Sequence, residues 1–103
     1  MPDQTYVPVA RVADLAPGQT KVVEAGGRQI ALVNVAGTFH AVDNECPHLG
    51  GPMGLGKLDG TDLACPWHGW RFDVTTGENI HSPQLALRCF TVKVEGDVVM
   101  LLV

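Results

Sequence analysis

The sequence predicts an all-β domain of short antiparallel strands, arranged as two packed sheets or a partly open barrel. Three observations carry this. Short apolar segments rich in β-branched residues alternate with glycine-containing turns along the chain. Phe90, Val92 and Val94 alternate with Thr91, Lys93 and Glu95, the period of two expected of a strand with one buried face. No segment sustains the apolar stripe of a helix.

Taken in order, the first strand is expected near Tyr6–Arg11. Ala10–Ala16 is the best helical candidate, a single turn with Val12 and Leu15 on one face, ended before Pro17-Gly18. Strands near Lys21–Glu24, Gln29–Val35 and Thr38–Val42 are separated by the turn signals Gly26-Gly27 and Ala36-Gly37. Short strands are expected at Leu63–Ala64 and Arg71–Asp73. Arg88–Glu95 and Val98–Leu102 flank Glu95-Gly96-Asp97 as a C-terminal hairpin. Two stretches break the pattern. Glu45 to Lys57 reads E-C-P-H-L-G-G-P-M-G-L-G-K, and Cys65 to Trp70 reads C-P-W-H-G-W; both are rich in Gly and Pro and are expected to be loops.

A length of 103 residues suits one domain, expected to span 1–103. With 46% hydrophobic and 17% charged residues, the composition is that of a folded chain rather than a disordered one. The net charge of −4, with seven Lys and Arg scattered singly, excludes the clustered positive charge that nucleic-acid binding needs. The acidity serves solubility, or steering toward a basic partner surface. Three cysteines are an odd number, which argues against a disulfide framework. No cationic segment followed by a long apolar one opens the chain, and no apolar run is long enough to span a bilayer. The expected location is therefore the cytoplasm, away from membranes, where thiols stay free to bind metal.

The two loops resemble each other. Cys46-Pro47-His48 is followed by Gly50-Gly51, and Cys65-Pro66-Trp67-His68 by Gly69. Each supplies one thiol and one imidazole, a donor set that suits zinc or iron–sulfur chemistry. Zinc fingers commonly present a cysteine pair and then a histidine pair. Here each loop is mixed, C-x-H and then C-x2-H, which does not forbid one tetrahedral zinc but suits a two-iron object.

At these residues the sequence resembles the Rieske family, whose pattern is C-x-H, a spacer of some sixteen residues and C-x2-H; sixteen residues separate His48 from Cys65 here. The likeness extends to Phe39–Asn44 before the first loop, Phe72-Asp73 and Thr76-Gly77-Glu78 after the second, His81-Ser82-Pro83 as a third, proline-containing loop, and Val94–Asp97 at the closing hairpin. The resemblance implies the Rieske iron–sulfur fold, with a cluster-binding subdomain at roughly 43–83. It implies one [2Fe–2S] cluster held by Cys46, His48, Cys65 and His68, both cysteines on one iron and both histidines on the other. Respiratory members carry a disulfide at the positions of Gly51 and Trp67, and hydroxyls at those of Trp70 and Phe72; without them, the expected potential lies low in the Rieske range, about −150 mV.

The implied role is a ferredoxin, not an enzyme. It would carry one electron from a flavin- and NAD(P)H-dependent reductase to a terminal Rieske non-haem iron oxygenase of an aromatic-ring dioxygenase system, docking transiently near His48 and His68 as a monomer. Two alternatives stand beside it: a small subunit of a larger oxidoreductase such as an assimilatory nitrite reductase, and a zinc-stabilised binding module without redox activity. Among the remaining residues, His40 is expected at or near the surface of a strand, and His81 in the third loop without being a ligand. Cys89 is expected as a buried free thiol. Trp67 and Trp70 are expected to shield the site, to meet a partner or to lie on an electron path, and Met53 and Leu55 either to pack beneath the loops or to form an apolar rim.

Overall fold

The computed structural model describes residues 5–47, 50–67 and 69–103. Among these residues ten strands form three antiparallel sheets, none of which closes on itself: β1(Tyr6–Arg11), β10(Val98–Leu102) and β9(Val92–Glu95) in the first, β2(Thr20–Ala25), β3(Arg28–Val35), β4(Thr38–Asp43) and β8(Cys89–Phe90) in the second, and β5(Lys57–Asp59), β6(Asp62–Ala64) and β7(Arg71–Asp73) in the third. The two tight hairpins of the second sheet turn at Gly26-Gly27 and Ala36-Gly37, where all four residues have positive φ. Such turns match the twist of the strands they join.

The middle sheet separates two apolar clusters, and strand periodicity assigns its side chains to them. Ile30 and Leu32 of β3 point to one side with Leu15, Phe39, Ala41, Val99 and Leu101. Ala31 and Val33 point to the other with Val42, Met53, Leu63, Phe72 and the two loop cysteines. β3 is therefore buried from Ile30 to Asn34, as a strand covered on both faces must be. The first sheet caps one side, and the third, which carries the loops, caps the other.

Several expectations change. The strand expected over Arg88–Glu95 is broken at Thr91, because the chain changes partner there: β8 pairs with β4, and β9 with β10. Val94, at the end of an edge strand, is 47% exposed rather than buried. The helical turn is a single 3-10 turn over Val12–Asp14, and it sends Leu15 into the core while Val12 faces solvent. Met53 is fully buried and Leu55 is 69% exposed, so the two do not form one rim. His40 is half-buried in β4, as expected. Among the described residues, no helix is long and apolar enough to cross a membrane.

Candidate metal centre

Three loops meet at one end of the third sheet. The first, between β4 and β5, contains Cys46; the second, between β6 and β7, contains Cys65; the third runs from β7 to β8. Cys46 and Cys65 are 1% and 4% exposed, and neither is in a disulfide. His48 and His68, the other two expected ligands, lie outside the described residues. Among the described residues, no three His, Cys, Asp or Glu side chains are grouped to hold a metal ion.

The cysteine loops are hydrogen-bonded copies of each other. The Cys46 N–H donates to the Gly51 carbonyl at 2.9 Å, and the Gly50 N–H donates to the Cys46 carbonyl at 2.8 Å. The Cys65 N–H donates to the Trp70 carbonyl at 2.7 Å, and the Gly69 N–H to the Cys65 carbonyl at 2.9 Å. The repeated unit is therefore C-P-x-x-G, with φ near +77° at Gly50 and +73° at Gly69, a conformation natural to glycine. Aligned on this frame, His48 matches Trp67 and His68 matches Leu49. Aligning the two loops on their histidines hides this frame; the shared Gly four residues after each Cys would have revealed it.

The two loops touch. A Cβ added to Gly51 would lie 2.5 Å from the Cys65 sulfur and 3.2 Å from the Trp67 ring. Gly51 thus lets the sulfur and indole of the second loop lie against the backbone of the first. It also places Gly51 opposite Trp67, the pair of positions that the resemblance assigned to a disulfide. Trp67 is 54% exposed, whereas Trp70 is partly buried against the core.

Buried asparagines fasten the surrounding chain, and nothing in the sequence patterns marked them out. Asn44 Oδ1 accepts from the Gly54 N–H at 2.7 Å, closing the first loop across ten residues. Asn79 Oδ1 accepts from the N–H groups of His81 at 2.9 Å and Ser82 at 3.0 Å in the third loop. That loop borders both others. Ala86, Leu87 and Arg88 line a hollow of about 520 Å3 with Cys46, Pro47 and Gly50. His81 and Ser82 line another, of about 250 Å3, with Gly69 and Trp70.

Cys89 stands apart from this centre. Its residue is exposed rather than buried as expected, because β8 is a two-residue strand at a sheet edge. Its sulfur lies close to Gly77, and partial burial, then the charge of Asp73, raises the thiol above the usual cysteine range.

Two reduced, buried thiols brought together from matching loops fit an iron–sulfur cluster, which takes soft thiolate donors. Comparison with known proteins points the same way. The family model for the Rieske [2Fe-2S] domain matches residues 5–91. The chain is 41% identical over 90 residues to apoptosis-inducing factor 3 of Homo sapiens, covering 86% of this chain but 15% of that one. It is 36% identical over 99 residues, 95% of both chains, to the ferredoxin component of the naphthalene 1,2-dioxygenase/salicylate 5-hydroxylase systems of Ralstonia sp. In structure it resembles a chain from the complex of reduced oxygenase and oxidised ferredoxin in carbazole 1,9a-dioxygenase, with TM-score 0.87 and 31% identity over 97% of this chain and 94% of that chain.

Proposed function

The chain belongs to the Rieske [2Fe–2S] domain family, and we propose that it works as a one-electron carrier and not as an enzyme. The observation that carries this reading is the meeting of the two C-P-x-x-G loops at Gly51, which brings two reduced, buried cysteines to one place. Cys46 and Cys65 would hold one iron, and His48 and His68 the other. Residues 1–103 are one Rieske domain, with the cluster-binding part at roughly 43–83. When bound, the cluster supplies reversible uptake of a single electron.

The protein's own residues do the rest. Gly51 admits the Cys65 sulfur, and the backbone bonds of Gly50 and Gly69 fix each cysteine within a closed loop. Phe72, fully buried beneath the loops, keeps water from the protein side of the site. Neither Trp70 nor Phe72 carries a hydroxyl to donate to cluster sulfur, which favours a potential low in the Rieske range, about −150 mV.

The ferredoxin relatives, and the complex that pairs a ferredoxin with its oxygenase, support a terminal oxygenase as one partner. The electron comes from an NAD(P)H-dependent flavin reductase and goes to a terminal Rieske oxygenase. Docking is transient, at the loop end near His48 and His68, by a cytoplasmic monomer. Coulometric titration, followed by stopped-flow mixing with the oxygenase component of a naphthalene dioxygenase, tests this. The expected result is one electron taken up per chain and passed on to the oxygenase. A chain that accepts no electron between about +300 and −400 mV contradicts the reading.

A further inference from the structure

We propose that Asn79 is a positioning residue that holds the third loop against the second cysteine loop and thereby keeps the metal centre closed. The closing role rests on the cluster assignment above; the holding role does not.

Residues 80–86 contain no buried side chain, and Ile80 and Leu85 are 41% and 38% exposed. Hydrophobic burial therefore does little to fix this segment. Its order comes from hydrogen bonds, and these converge on one residue. Asn79 is only 5% exposed. Its Oδ1 accepts two backbone N–H groups, those of His81 and Ser82, at 2.9 and 3.0 Å. Its own N–H donates to the Leu85 carbonyl at 2.9 Å, and the Leu85 N–H closes the bend onto the Ser82 carbonyl at 2.8 Å. At its base the Ile80 N–H donates to the Arg71 carbonyl at 3.1 Å, fixing the bend to β7.

The other side of this bend faces the metal centre. Asn79, His81 and Ser82 line the 250 Å3 cavity together with Gly69 and Trp70. Those two residues close the backbone frame of the Cys65 loop. If the carboxamide is removed, His81 and Ser82 lose their acceptor, and the bend is free to lift from the loop that holds Cys65.

The test compares Asn79→Ala, Asn79→Asp, which keeps the acceptor oxygen, and Asn34→Ala. Asn34 is an equally buried asparagine whose side chain bonds Leu15 and Gly37 instead. Amide exchange is read on the cluster-free chain, and loss of visible absorbance in chelator is read on the loaded chain. In Asn79→Ala, exchange at His81 and Ser82 speeds up by roughly five- to tenfold, and cluster loss accelerates with it. Asn79→Asp restores both, and Asn34→Ala moves neither. Asn79→Ser, whose single shorter hydroxyl reaches fewer donors, falls between Ala and Asp and provides the comparison if the alanine variant does not fold.

Unchanged exchange at His81 and Ser82 overturns the holding role. Faster exchange with unchanged cluster loss overturns the closing role. A wild-type chain that never takes up iron instead refutes the cluster assignment, while the exchange data still decide whether Asn79 holds the bend.

Discussion

Gly51→Ala perturbs the contact on which the site depends. The added Cβ would stand 2.5 Å from the Cys65 sulfur and 3.2 Å from two atoms of the Trp67 ring. Ordinary non-bonded contact begins at about 3.5 Å, so the sulfur has to retreat by about 1 Å and the indole by a few tenths. Overpacking of this kind costs about 1–3 kcal/mol. For a domain of this size each kcal/mol lowers Tm by roughly 4–8 °C, so calorimetry of the cluster-free variant should show a fall of about 4–24 °C. The effect on the site is larger than the effect on stability, since a binding constellation tolerates only about 0.5 Å of misplacement. Iron and sulfide per chain should drop well below wild type. Gly60→Ala is the control: φ is +63° there but nothing lies within 4 Å, so backbone strain of about 1–2 kcal/mol is expected with normal iron content. A Gly51→Ala protein with unchanged Tm and full iron content would refute the packing argument.

Phe72→Ala removes a fully buried ring beneath the loops and should cost about 3–5 kcal/mol, read by urea titration of the cluster-free chain. Asn44→Ala leaves the Gly54 N–H without its acceptor and should cost about 1–3 kcal/mol, with the largest gain in amide exchange at Gly54. Trp67→Ala should leave the cluster content near normal, because the side chain is half-exposed, but weaken oxygenase binding by about tenfold, read as the concentration dependence of electron transfer. Cys89 has a raised pKa, so the folded protein holds it neutral to a higher pH than the unfolded chain. Its alkylation by iodoacetamide should therefore rise at higher pH in the folded state. Its effect on stability is absent below the unfolded pKa and becomes unfavourable as pH rises toward the folded one.

Local patterning announced most of the fold. The limits of β1, β7 and β10 match the expected strands residue for residue, since each is bounded by a turn or loop signal. β5 is not legible locally: Lys57-Leu58-Asp59 offers a single apolar residue, and it is a strand only because it pairs with β6. The break at Thr91 is invisible locally because the alternation of Phe90, Val92 and Val94 runs straight through it; the exchange of β4 for β10 as partner is a long-range event. The two cysteines were legible as residue types in repeated loops. The meeting of those loops at Gly51 was not, nor was their fastening by Asn44 and Asn79, since an isolated asparagine in a polar stretch acquires its role only from what folds around it.

The proposed carrier depends on Cys46, His48, Cys65 and His68 holding one [2Fe–2S] cluster that carries one electron. Its most direct test is electron paramagnetic resonance of the dithionite-reduced protein, with nitrogen hyperfine couplings resolved and iron and sulfide quantified on the same sample. About two irons and two sulfides per chain are expected. A rhombic signal with low average g is expected too, coupled to two imidazole nitrogens, one coupling disappearing in His48→Cys and the other in His68→Cys. A colourless, silent, zinc-containing protein that stays so after anaerobic reconstitution would contradict it.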